Sequence, residues 1–322
     1  MTQANRGSGR KKIIMLFVLV LAAAVLYLFL NVNMKYFNYI MRLRVPKLAV
    51  MIITAFSIGG ASIIFQSVIQ NTIVTPCLLG MNSLYALIHT VVIFFFGAAS
   101  MPARNANFSF GVDLVLMGIV ATIIYSYLFK KTKHNILYVL LAGTVLATFF
   151  SSAQTSLARV MDPNEYDTLL ATLVASFSNV NANIITFALI LIAVLIFSLR
   201  NELALLDVIT LGKEQAVNLG VDYDRTIRRL LLGVTLFIAV ATAMVGPISF
   251  LGLIIANLSR QVFKTYRHTY LITGAALIGM IILVGGQIIV EHVFTYSVPV
   301  SVFITVGGGV YFLYLLFRYR RA

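Results

Sequence analysis

Long, nearly unbroken apolar runs, parted by short charged stretches, set the pattern of this chain. A run of about 20 apolar residues matches the hydrocarbon thickness of a bilayer. Ten can be cut, at roughly 13–31, 48–68, 80–97, 111–130, 136–156, 184–200, 230–247, 250–260, 271–287 and 299–317. The eighth is too short to cross alone and reads as a half-helix. None of the runs alternates, which excludes a transmembrane β-barrel. The expected fold is all-α, with about ten transmembrane helices in a single polytopic domain over 1–322. One interruption is longer than the rest: LGKEQAVNLGVDYDRTIRR, from Leu211 to Arg229. Apolar spans flank it, so it must stand in water. Helix formers with apolar residues at Leu211, Ala216 and Leu219, punctuated by Gly212 and Gly220, read as two short helices joined by turns.

Composition agrees with the pattern. The chain is 60% hydrophobic and only 11% charged over 322 residues, too little charge to coat a soluble domain of this length. In such a chain a net charge of +14 is no sign of nucleic-acid binding, because basic residues gather on cytosolic loops. An even number of spans puts both termini on one side. Placing them in the cytosol leaves 18 of the 24 Lys and Arg inside, including those of a basic tail (1–12) and of a cytosolic segment (201–229). Only Lys35, Arg42, Arg44, Lys47, Arg104 and Arg159 fall outside, and four of these six cluster before the second span. The expected location is therefore the cytoplasmic (cell) membrane, as a multi-pass protein with both ends cytosolic. The first apolar run continues from Ile13 to Leu30, too long for a signal-peptide core, and reads as a retained helix.

Candidate chemistry is sparse. A single cysteine, Cys77, excludes an internal disulfide. His89, His134, His268 and His292 lie far apart without carboxylate or cysteine company, so no metal site is expected. All ten acidic residues fall in loops or at span edges, with Asp113 and Glu291 nearest the membrane. Transporters driven by protons or sodium usually carry an ionisable group in mid-membrane, which counts against that class. No Walker-type phosphate loop is present, so no ATP site is expected on this chain and energy for active transport must come from another polypeptide. Two spans carry small or polar stripes at helical spacing: Thr144, Thr148, Ser151 and Thr155 in the fifth, and Thr54, Ser57 and Ala61 with Gly60 in the second. Either can be close helix packing or the lining of a water-filled pathway. Gly285-Gly286 and Gly307-Gly308-Gly309 read as packing residues before hinges.

After Arg44 the sequence runs RVPKLAVMIITAFSIGGASIIFQSVIQNTIVTPCLLGMNSLYA. This resembles the opening signature of the FecCD-type permeases, membrane subunits of ABC importers for iron–siderophores, haem and vitamin B12. Arg44, Pro46, Gly60, Gln66, Asn71, Pro76, Leu79 and Gly80 fall on the family pattern. LLAGTVL at 140–146, LGKEQAVNLG at 211–220, VGPISFLGLI at 245–254 and the closing VYFLYLLFR agree in order and spacing. The resemblance implies a vitamin B12 permease-like fold that pairs with a second permease around one pathway. It implies a non-enzymatic chain that binds no cofactor, with ATP and Mg held by a cytosolic ABC ATPase dimer. It also implies an extracytoplasmic substrate-binding protein, and a ferric siderophore as cargo. Haem or cobalamin is the alternative within the family, and a secondary transporter the alternative outside it.

The resemblance further assigns ATPase coupling to Leu211, Gly212, Glu214, Ala216, Leu219 and Gly220. It assigns binding-protein docking to Arg44 and Lys47, with Arg42 beside them, and it makes Gln66 and Asn71 candidates to line the pathway with the Thr144 stripe. Departures cluster in the second half. The family's Asn-Pro-Leu is Asn71-Thr72-Ile73, and its Pro-His after the eighth span's Gly-Leu is Ala256-Asn257. The ninth span's Ala-Asp appears as glycine near Gly285-Gly286, and the basic residue expected near 290 is replaced by Glu291 close by. Glu-Leu-Pro-Val-Gly is Ser297-Val298-Pro299-Val300-Ser301. A non-identical partner permease that supplies the standard versions is expected, with a homodimer as the alternative.

Overall fold

The computed structural model describes residues 3–76, 80–100, 105–131, 136–177, 182–295 and 298–319. Cys77, Leu79, Arg104, Lys133, His134 and Ser297 lie outside the described residues. The helices are α1 (Gln3–Phe29), α2 (Phe37–Ile69), α3 (Met81–Phe96), α4 (Ala106–Lys131), α5 (Ile136–Ala158), α6 (Pro163–Leu173), α7 (Ala182–Ser198), α8 (Arg200–Ala204), α9 (Leu206–Ile209), α10 (Lys213–Asn218), α11 (Tyr223–Val245), α12 (Leu251–Phe263), α13 (His268–His292) and α14 (Val300–Tyr319). No strand occurs among the described residues. Among the described residues six helices are long and apolar enough to cross a bilayer, and four shorter apolar ones accompany them.

Each expected span is found, and most helices run past their apolar run. Backbone polar groups at a membrane boundary are best satisfied within a helix, so the helix continues into the interface. Thus α2 begins at Phe37, and Arg42, Arg44 and Lys47 lie on its first turns, with Pro46 inside the helix. The half-helix expectation corresponds to α12, whose 13 residues rise only about 20 Å. One element was missed. The polar helix α6 starts at Asp162, whose carboxylate accepts from the Asn164 N–H, with Pro163 in its first turn. That Asp-Pro start was visible in the sequence as a helix-opening signal.

The core is α2, gripped by α13 and α11. Gly59 lets α13 approach so closely that an added Cβ would meet the Ala275–Ala276 backbone at 3.1 Å. Thr54, Ser57 and Ala61 are all fully buried within the bundle, so the second span's stripe is packing in this chain.

Contacts sort the helix ends into two sides. On one side Lys12 donates to the Val262 carbonyl at 2.7 Å, and the segment 200–222 packs under the ends of α2 and α13. On the opposite side lie the end of α1, the start of α2 and the end of α13, joined by Tyr27, Arg44 and Glu291.

Candidate functional site

The charged block is built from its glycines outward. Gly212, at φ 101°, precedes α10, and Gly220, at φ 80°, ends it. The Val221 N–H reaches the Ala216 carbonyl and the Gly220 N–H reaches that of Val217, a Schellman cap that closes the helix. The expected second short helix after Gly220 is not formed. Asp222 accepts from the Arg225 N–H and starts α11 directly, so residues 223–229 are the first turns of a membrane helix. The further short helices, α8 and α9, precede the block instead. Ala216 is fully buried and ties α10 to the core with Leu206 and Ile209. Leu211, Val217 and Leu219 point outward, 52%, 51% and 63% exposed, around the exposed Glu214. Val217 escaped the sequence reading, because its role depends on which face Ala216 buries.

Ion pairs hold the block, and α8 before it, to α11. Lys213 bridges to Asp224 at 2.9 Å, and Arg229 donates to Glu202 at 2.5 Å. Burial pushes the Glu202 carboxyl up, but the hydrogen bond and charge of Arg229, with Arg225 beyond, hold it below the usual carboxylate value.

Beneath the block, the ends of α2, α12 and α13 share a polar network. Arg260 reaches Gln66 at 3.3 Å and Ser67 at 2.9 Å, while Gln66 donates to the Thr72 carbonyl at 2.8 Å. Asn257 donates to the same carbonyl at 2.9 Å. Gln66 is therefore buried with both ends of its amide engaged. Asn71 is exposed beside it and turns the chain by accepting from the Ile73 N–H.

On the opposite side two of the expected docking cations are turned inward. Arg44 donates to the carbonyls of Tyr27, Leu28 and Leu30 at 2.9, 3.1 and 2.9 Å, satisfying the orphan end of α1. Lys47 lies 3.8 Å from the buried Glu291, which also accepts from Tyr27 and Gln287. A helix terminus and a buried carboxylate thus engage Arg44 and Lys47, both of which stay partly exposed. Arg42 is exposed, as is Lys35 nearby.

The fifth span's stripe behaves unlike the second's. Thr148, Ser151 and Thr155 are exposed and Thr144 half-buried, while α5 packs on α3 through another face. The threonine hydroxyls donate to their own helix: Thr144 to Leu141, Thr148 to Thr144 and Thr155 to Ser151. Their lone pairs face outward, giving a neutral acceptor surface on the flank of the chain.

Two histidines do have carboxylate company, contrary to expectation. His89 Nε2 lies 2.9 Å from Asp113, with the Tyr85 ring tilted 50° to the imidazole at a centroid distance of 4.3 Å, and both His89 and Asp113 are buried. They line a cavity of about 510 Å³ with Ser109, Thr168, Thr172 and Gly246. His268 meets Asp207 at 2.5 Å. Asp113 is thus a buried carboxylate two turns into α4, near the start of that helix. Among the described residues no three metal-binding side chains come together.

A family model described as the FecCD transport family matches residues 12–318. The chain is 40% identical over 302 residues to the petrobactin import system permease protein YclO of Bacillus subtilis, covering 94% of this chain and 96% of the relative. It is 34% identical over 284 residues to the petrobactin import system permease protein FatC of Bacillus anthracis, covering 87% and 79%. The hemin transport system permease protein HmuU of Yersinia pestis is more distant, at 26% over 281 residues, covering 87% and 83%. A solved inward-facing conformation of a metal-chelate type ABC transporter has the same fold, with a TM-score of 0.83 at 21% identity, covering 96% of this chain and 99% of that one.

Proposed function

Because the chain belongs to the FecCD transport family, we propose that it is the permease subunit of an ABC importer carrying a ferric siderophore across the cell membrane. Petrobactin is the first chelate to test, since the relatives at 40% and 34% identity bear that name. The chain is a multi-pass membrane protein and not itself an enzyme. ATP and Mg belong to a separate ATPase dimer, and this chain holds neither.

The observation that carries the reading is the block's outer face. Three large apolar side chains exposed to water near one acidic residue, on and beside a short helix pinned by a buried alanine, form a knob. Exposed apolar patches of this kind mark protein contact sites. The ATPase grips this knob from the cytosol, and its closure biases the membrane helices between two arrangements. A second permease, non-identical in the favoured form and a second copy in the other, faces the Thr144–Thr155 stripe. Between them the hydroxyl acceptors line a neutral passage, suited to a chelate that arrives with its own ligands. On the opposite side a substrate-binding protein meets the exposed Lys35 and Arg42, where charge sets orientation more than affinity.

Uptake of radiolabelled ferric petrobactin by cells lacking the gene tests the function. Loss on deletion and restoration by the wild-type gene support it. Normal uptake in the deletion strain refutes petrobactin, and the same cells are then given other ferric siderophores, haem and cobalamin. Complementation with Glu214→Arg and Gly220→Trp tests the grip; Gly220 lies at φ 80°, where a tryptophan is strained. Restored uptake by this double variant refutes coupling through the block.

A further inference from the structure

Three polar side chains from three separate elements form a line under the block: Asp207 on α9, His268 opening α13, and Ser67 in the last turn of α2. One oxygen of Asp207 accepts from the His268 backbone N–H at 2.9 Å and lies 2.5 Å from the ring Nδ1. Across the ring, Nε2 is 2.8 Å from the Ser67 hydroxyl. Ser67 also accepts from Arg260, on α12, at 2.9 Å. Proton bookkeeping fixes the directions. A carboxylate only accepts, so Nδ1 carries the proton facing Asp207. Arg260 occupies one lone pair of Ser67, and the serine proton points to Nε2. A neutral imidazole then has both nitrogens satisfied, and the line runs unbroken from the cytosolic block into the bundle. His268 and Ser67 are buried, while the Asp207 side chain is 39% exposed on the block's side.

We propose that Asp207, His268 and Ser67 are positioning residues that lock the block to α2 and α13, so that motion imposed on the block moves those membrane helices. This rests on the importer reading above. The reason lies in how the other contacts are arranged. Lys213–Asp224 ties the block to α11, and Glu202–Arg229 ties α8, just before it, to the same helix. Toward α2, the four-residue α9 offers the apolar anchors Leu206 and Ile209, which bind without direction and tolerate sliding. An exposed 3.4 Å contact from Gln70 to the Thr210 carbonyl adds little. The Asp207–His268–Ser67 line supplies what apolar contacts lack, a fixed register with a charged acceptor at one end.

The test uses the assembled importer, this permease with its partner subunits and binding protein, in proteoliposomes. ATP hydrolysis and ferric petrobactin uptake are read from the same sample. Asp207→Ala and His268→Ala are expected to lower uptake per ATP about tenfold, the shift that loss of a hydrogen bond to a charged group brings to a two-state balance. Hydrolysis itself should stay within about twofold. Ser67→Ala should fall in the same direction. Asp207→Asn should recover most coupling, because its amide oxygen still accepts both His268 protons. A readout independent of the chelate is the rate at which a cysteine placed at Thr148 is labelled, with and without an ATP analogue. The ATP-dependent change should vanish in Asp207→Ala and return in Asp207→Asn.

Unchanged uptake per ATP with an intact labelling response in Asp207→Ala and Ser67→Ala would overturn the proposal. So would hydrolysis and uptake falling together in proportion to the amount of assembled complex, which marks a folding role, or Asp207→Asn failing as badly as alanine. Glu214→Arg separates the two levels. If it too leaves uptake intact, the importer's coupling through the block is wrong. If it abolishes uptake while the Asp207 and Ser67 variants transport normally, only the present inference falls.

Discussion

Leu219 gives the sharpest test of the knob. The side chain is 63% exposed in the isolated chain, and its neighbours Leu211 and Val217 are about half exposed. Full burial of a leucine contributes about 1.5–3 kcal/mol, so covering the exposed part of Leu219 contributes about 1–2 kcal/mol. Leu219→Ser removes that contact without touching the buried Ala216 or the backbone cap at Gly220. Affinity between the permease in nanodiscs and its purified ATPase should therefore weaken about 5- to 30-fold, since 1.4 kcal/mol is a factor of ten. Adding Leu211→Ser and Val217→Ser should take the loss to about 2–5 kcal/mol, at least a 30-fold effect. Thermal stability of the permease alone should hardly change, because exposed apolar side chains contribute little to its fold. Titration of labelled ATPase reads the affinity. An unchanged dissociation constant in the triple variant would show that the ATPase docks elsewhere, and the exposed face would need another explanation.

Three further outcomes follow from contacts inside the bundle. In the glycine triplet of α14 only Gly308 is crowded, with an added Cβ meeting Phe250 Cβ at 2.3 Å, while Gly307 and Gly309 face open space. Thermal unfolding in detergent should show Gly308→Ala losing about 1–3 kcal/mol and the other two alanines losing nothing. Ser57 buries its hydroxyl without a partner, so Ser57→Ala should be neutral or stabilising, whereas Gln66→Ala should cost about 1–3 kcal/mol by stripping partners from Arg260 and the Thr72 carbonyl. The Glu202 carboxyl is held below its ordinary value, so its contribution is present above the ordinary carboxylate range and is lost as pH falls through the lowered one. Acid unfolding of Glu202→Gln should accordingly be less steep over that window than wild type, and an identical profile would show that the pair with Arg229 contributes nothing.

Membrane helices were legible because apolar runs report them directly, and the block was legible because charge interrupts those runs. Partnerships were not. His89 and Asp113 stand 24 residues apart, and Asp207 and His268 stand 61 apart. Local spacing shows no such pairing, so the histidines read as solitary. The two polar stripes make the same point. Thr54, Ser57 and Ala61 resemble Thr144, Thr148 and Ser151 in size and period, yet one set is buried and the other faces out. A period says which residues share a face, not what that face meets. The family departures become intelligible only in space. Asn257, where the family has histidine, donates to the carbonyl of Thr72, where the family has proline. Lys47, where the family has arginine, sits 3.8 Å from Glu291.

The arrangement makes α2 the lever of the molecule. Its 33 residues span about 50 Å, enough to carry contacts on both sides of the membrane. At the block's end it bears Gln66 and Ser67, joined to α12 and α13 by Arg260 and His268. At the other end it bears Arg44 and Lys47, which hold the end of α1 and Glu291 of α13. Between them Gly59 brings the α13 backbone into contact, and Gly279 lets Ala55 do the same. Helices packed this closely slide and tilt as bodies, because repacking their small residues would open voids that the interior does not tolerate. On the coupling proposed above, a push on the block would reach the far side as one displacement of α2 with α13, not as a chain of side-chain adjustments. The α3–α5 pair, with its outward hydroxyls, has no such two-ended anchorage in the described contacts. On the pathway proposed above, relative motion between that pair and the α2–α13 body would be the change in shape that a passage beside α5 requires.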